Sequence, residues 1–219
     1  MYIPAPMSLT DAEAVSLIDS HPFALLISNQ QRLVASHLPL VFDSDRRRII
    51  GHMARANGQW RALDGQSVLA VFSGPHAYIS PRWYQAKPAV PTWNYSAAHV
   101  YGTFNLLDEK EDDGGVEAVL KHTIARFEPE LWDDETLMPK DYVGKLSKAI
   151  VAFEIVVERI EAKAKLGQHR KMGDQEGVSA ALKSSERLDD MALYREMQRM
   201  GLGLGTDSQT EQVDQSREK

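Results

Sequence analysis

Four stretches of the sequence combine side chains able to bind or polarise a ligand. The longest runs from Ser73 to Gly102. It carries six aromatic residues (Tyr78, Trp83, Tyr84, Trp93, Tyr95, Tyr101), two histidines, an arginine and a lysine, interrupted by four prolines. Proline prevents a continuous helix there and favours extended or turning backbone. Ring faces beside hydrogen-bond donors suit a flat ligand that is anionic or polar, because stacking and donors together fix its orientation. The same rings would serve equally well as the rim of a β-domain core.

The other three stretches are shorter. Ser36-His37-Leu38-Pro39 pairs a small residue with a proline, a mark of close backbone approach, although a lone strand histidine is more often structural. Gly51-His52-Met53-Ala54-Arg55-Ala56-Asn57 places a forked guanidinium where a strand runs out. Arginine can grip a phosphate through two parallel N–H bonds, and its alternative is an ordinary surface ion pair. Lys165-Leu166-Gly167-Gln168-His169-Arg170, with Asp174 following, sets basic groups ahead of a helix. That cluster reads either as an anion site or as a solvated charged turn.

No catalytic residue is identified. A serine triad would need a G-x-S-x-G elbow and a zinc hydrolase an H-E-x-x-H pair; the sequence offers neither, and no metal site is expected. With no cysteine there is no disulfide, no thiolate ligand and no Cys nucleophile, which fits the cytoplasm. No window reaches the roughly 18 apolar residues of a membrane span, and the first ten residues lack the pattern of a secretory signal. The net charge of −6 opposes direct DNA binding, and the basic runs are short.

The elements that must position these groups follow from hydrophobic period and turn residues. A helix is predicted over 11–20, then strands over 23–28, 33–42 and 48–53, with Pro39 marking a bulge or an edge. A loop or short helical turn follows at 54–60, then a strand over 67–73 extended by 77–80, and another over 99–107. A charged turn at 109–113 leads to helices over 115–127 and 141–147. A strand rich in β-branched residues begins at 149, and Asp174 is expected to cap a helix over 175–184. A further helix covers 188–200, and the polar tail to 219 is expected to be disordered. The class is α+β and β-rich, with six or seven strands in an antiparallel barrel or sandwich.

Taken in order, S-H-L-P, G-H-M-A-R-A-N-G-Q-W, G-P-H-A-Y-I-S-P-R-W-Y, V-P-T-W-N-Y, H-V-Y-G and K-L-G-Q-H-R resemble the PaiB family of FMN-binding negative transcriptional regulators. The likeness extends from Met1 to about Leu182. It implies a split β-barrel of the pyridoxamine-phosphate-oxidase and flavin-reductase type, with peripheral helices, working as a homodimer with FMN between protomers. It divides the chain into a flavin domain at 1–182, a C-terminal helix at 183–202 and a tail at 203–219. It also implies cofactor contacts. His52, Ala54, Arg55 and Asn57 match the phosphate stretch; Ser36, His37 and Leu38 match the strand beside the isoalloxazine. Trp93, Asn94 and Tyr95 would wall the site, from the same or the other subunit, and Lys165, Gln168 and Arg170 match the C-terminal basic motif. The family usually reads K-L-S-Q-N-R where this chain has K-L-G-Q-H-R, so a hydroxyl and an amide are missing.

Three functions follow, in descending order. The first is a dimeric FMN-binding regulator, whose link to DNA rests on the resemblance alone. The second is an FMN-dependent oxidoreductase moving hydride between a nicotinamide and a flavin or small substrate, the flavin carrying the redox chemistry. The third is a haem-binding or haem-degrading protein using His37, His52, His76, His99 or His169.

Overall fold

The computed structural model describes residues 1–107 and 115–205. The charged turn expected at 109–113 and the tail beyond 205 lie outside them.

Helix α1 (Asp11–Ser20) buries Ala14, Leu17 and Ile18, one helical stripe of the period that predicted it. Six strands follow: β1 (Phe23–Gln30), β2 (Arg32–Asp43), β3 (Arg48–Ala54), β4 (Gln66–Ile79), β5 (Thr92–Leu106) and β6 (Ile150–Lys165). They close into a barrel in the order β1-β2-β3-β6-β5-β4. Closure leaves no free edge along the ring, which removes the template for edge-to-edge pairing. Helices α2 (Gly115–Phe127) and α3 (Lys140–Ser147) lie between β5 and β6 in sequence, and α4 (Met172–Lys183) and α5 (Leu188–Met200) follow β6.

Alternation along the strands builds the core. On β1, Ala24, Leu26 and Ser28 are buried, while Leu25 and Ile27 face the other way and are half-buried. Phe72, Phe104 and Phe153 are fully buried, and the rings of Phe104 and Phe153 stack with centroids 4.6 Å apart. Burying each such ring contributes roughly 1.5–3 kcal/mol. Gly102 on β5 is dictated by this packing, because a Cβ there would overlap the Val156 carbonyl and Ile155 side chain of β6.

Several boundaries differ from expectation. Pro39 makes no bulge: it stands in regular register opposite Phe23, just before the pairing with β3 that begins at Leu40. β4 is one continuous strand, the extension expected at 77–80 joining 67–73 through Gly74-Pro75. The pairing with β1 spans Leu69 to Val71, so Pro75 lies beyond it and its missing N–H interrupts no rung on that side. β5 begins at Thr92 rather than His99, since Thr, Trp and Tyr favour strand once the prolines have been passed. Asp174 is not the cap of α4. It is the helix's third residue, and its carboxylate accepts the Ala86 N–H at 2.9 Å.

The chain divides into two compact units, each with its own contacts. One comprises 11–73 and 98–161 and contains the phenylalanines just described. The other comprises 1–10, 74–97 and, among the described residues, 162–205. Its core is Ala77, Ile79, Tyr84, Ala164, Leu166, Val178, Leu182, Leu193 and Met197, so α4 and α5 are fastened to the ends of β4 and β6. The N-terminal segment is held in this second unit by Leu9 N–H to Ala162 O and by a bridge between Ser8 and Lys163.

Candidate functional site

Within the unit that holds 11–73, the structure brings two of the four stretches together. The turn after β3 starts at Arg55, whose backbone N–H reaches Ala149 O. Its guanidinium is exposed yet anchored: Nε donates to Lys148 O at 2.9 Å and Nη2 to Ile150 O at 3.0 Å. Nη1 and one Nη2 hydrogen remain available. A guanidinium already oriented by two carbonyls loses little freedom when it takes an anion.

Asn57 links the strand stretch to the loop stretch. Its Nδ2 donates to Ser36 Oγ at 2.9 Å, and its Oδ1 caps the short 3-10 turn Gly58–Ala62 by accepting the Gln59 N–H. Leu38 is buried, whereas His37 is exposed and stacked on Phe23 at 5.7 Å. Ala54 is exposed at the end of β3. His52 is largely enclosed, its Nδ1 has no partner, and burial pushes its pKa below the ordinary histidine value. Burial therefore disfavours its imidazolium form.

The other two stretches meet within the second unit. Lys165 Nζ donates to Thr92 Oγ1 and, at 2.8 Å, to Trp93 O, tying the basic motif to the start of β5. Trp93 is 52 % exposed and contacts His76 and Tyr78, with centroids 6.0 and 6.4 Å away. Asn94 is buried beside Gly167, and the Tyr95 ring lies 5.3 Å from Lys163 Nζ. Gln168 shapes the turn after β6: Oε1 accepts the Leu166 N–H, and Nε2 donates to Ala164 O and Pro6 O. Arg170 lies over the Tyr84 ring at 4.5 Å. Burial, then Lys163 and Arg170, lower the Lys165 pKa; burial, then Arg170 and Lys165, lower that of His169. Repulsion among these cations is what an anion would relieve.

Gly167 has φ +88°, a backbone region that side chains with a Cβ rarely adopt. The glycine of K-L-G-Q-H-R is thus matched to the turn it occupies.

A family model described as "Putative FMN-binding domain" matches residues 1–159. The chain belongs to this FMN-binding family. A relative, "Protease synthase and sporulation protein PAI 2" of Bacillus subtilis (strain 168), is 40 % identical over 192 residues, 85 % of this chain and 91 % of that protein. The fold agrees with solved flavin-protein structures. The flavocytochrome Anf3 of Azotobacter vinelandii superposes with a TM-score of 0.58 at 16 % identity, covering 76 % of this chain and 73 % of that one. The FAD and heme binding protein of Mycobacterium smegmatis gives 0.57 at 16 % identity, covering 74 % of each chain. The split β-barrel expected from the motifs is therefore the fold observed.

The residues of the stretch expected to hold the FMN phosphate fit that group in one testable respect. Arg55 presents fixed, unspent N–H donors at an exposed turn, as a phosphate dianion requires.

Sequence reasoning passed over Gln59 and Thr92. Gln59 sits inside a motif but looked like a surface loop residue; Thr92 was hidden by the prolines before it. Neither position carries a periodic signal, since each matters through a partner far away in sequence.

Proposed function

We propose that this chain is a PaiB-type FMN-binding protein acting as a homodimer in a regulatory role. Membership of the FMN-binding family carries the reading, and the anchored Arg55 guanidinium supports it from within the chain. In this reading Arg55 and Asn57, with His52 and Ala54 behind them, hold the phosphate end. Ser36, His37 and Leu38 lie along the ring. Trp93, Asn94 and Tyr95 wall the site from the other subunit, where Lys165, Gln168 and Arg170 supply positive charge and the turn that presents it. FMN, when bound, would supply one- or two-electron redox chemistry.

Dimerisation is supported by the outward face of the β1-β2-β4 sheet. Leu25 and Ile27 are paired with Val71 and Leu69 on one side and with His37 and Ala35 on the other. These side chains point away from the core, and Phe23 and Leu33 beside them are 66 % and 77 % exposed. A contiguous apolar face of this kind marks an interaction surface, and a second copy covers it in this reading.

The regulatory role is supported by the relation to PAI 2, whose name ties that protein to protease synthesis and sporulation. The net charge of −6 favours action through a protein partner or a metabolite over direct reading of DNA. No helix among the described residues is long and apolar enough to cross a membrane, in keeping with a cytoplasmic protein. Residues 1–182 form the flavin domain in this reading, with 183–202 added to it and 203–219 a polar tail.

The test is an absorbance and fluorescence titration of the purified apo-protein with FMN. Saturation near one flavin per protomer supports the proposal, and an absence of saturable binding removes it.

A further inference from the structure

The side chain of Gln59 is 2 % exposed although it lies in the loop between β3 and β4. Its Nε2 donates toward Leu26 O at 3.2 Å, Ser28 Oγ at 3.0 Å and Val34 O at 3.3 Å. Ser28 and Val34 are register partners across β1 and β2, and Leu26 is the partner of Ser36. The amide therefore spans two rungs of the hairpin. Its orientation is fixed chemically: turning the amide over would set Oε1 against the carbonyl oxygens of Leu26 and Val34, two acceptors facing a third. The fold keeps this orientation even though it leaves Oε1 buried without a partner. The backbone of the same residue is bound as well, with N–H on Asn57 Oδ1 and carbonyl accepting from Gln30 Nε2.

We infer that Gln59 is the positioning residue of the flavin phosphate grip, locking the Arg55–Asn57 turn onto the β1–β2 hairpin. It touches no cofactor itself. It fixes Asn57 through one backbone hydrogen bond, while Asn57 is held to Ser36 from the other side. The inference rests on the FMN reading above, and it states which buried contact sets that site's preference for the phosphorylated flavin.

The experiment compares FMN with riboflavin, which lacks the phosphate, on the full-length chain. Gln59→Leu should weaken FMN at least tenfold and leave riboflavin within twofold, with the far-UV spectrum and oligomeric mass unchanged. Asn57→Ala should give the same selective loss, and the double variant should be no weaker than the worse single one, because the two act through one contact chain. If Gln59→Leu does not fold, Ser28→Ala, which removes one of the three acceptors, should give a smaller loss in the same direction. Equal losses for FMN and riboflavin, additive losses, or no loss would each overturn the inference while leaving FMN binding intact. A wild-type protein that binds no FMN would take both readings down.

Discussion

Asn57 donates its side-chain amide to the Ser36 hydroxyl at 2.9 Å, across 21 residues of sequence. The bond joins the loop after β3 to the middle of β2, so two motifs that look independent along the chain are tied to each other. A half-buried neutral hydrogen bond contributes about 1 kcal/mol. Ser36→Ala should therefore lower the urea-unfolding free energy by about that amount, and a change below about 0.3 kcal/mol would show the link to be incidental.

Arg55 is exposed and spends its anchoring bonds on carbonyls near the start of β6. Arg55→Ala should weaken FMN by about 10- to 100-fold, the worth of a charge-assisted pair. Riboflavin affinity should scarcely move. Unchanged FMN affinity, read by quenching of flavin fluorescence, would remove the phosphate assignment.

Ile27 and Leu69 are neighbours on the outward apolar face of β1 and β4. Ile27→Asp should convert a dimer at micromolar concentration into a monomer in sedimentation velocity, because a carboxylate cannot be buried unpaired in an apolar contact. A wild-type monomer at that concentration would itself contradict the dimer.

Gly102 allows β5 and β6 to approach closely, and a Cβ would meet the rigid Val156 carbonyl as well as the Ile155 side chain. Gly102→Ala should cost about 1–3 kcal/mol, the usual penalty of overpacking. Phe153→Ala, which empties one half of the Phe104–Phe153 stack, should cost about 3–5 kcal/mol. Urea melts of both variants check the order.

Burial holds the His52 pKa below its ordinary 6.5. Between that depressed value and about 6.5 the unfolded chain binds more protons than the fold, so this contribution is full above about pH 6.5 and declines as pH falls. His52→Gln should flatten the loss of stability between pH 7.5 and 5.5. The slope will not vanish, since His99 and His169 are shifted in the same direction. An identical slope in the variant would show that His52 takes no part.

The sequence by itself determined the local elements. Helices α1 and α2 follow from hydrophobic residues at helical spacing, and the strands expected at 23–28 and 33–42, apolar runs on either side of a short turn, fall within β1 and β2. These signals are carried within a dozen residues, which is why they survive without knowledge of neighbours. The motifs also determined the family, because their types and order are specific. Tertiary structure alone decided the rest. Whether Asp174 caps a helix or holds Ala86 N–H depends on a partner 88 residues away. Whether Gln59 is solvated or bridges β1 and β2 depends on how the barrel curves beneath its loop. Whether Gly167 is a lost hydroxyl or a needed turn depends on a φ of +88° that no residue-type pattern encodes. Polar side chains choose partners by distance in space, and only closure of the barrel fixes those distances.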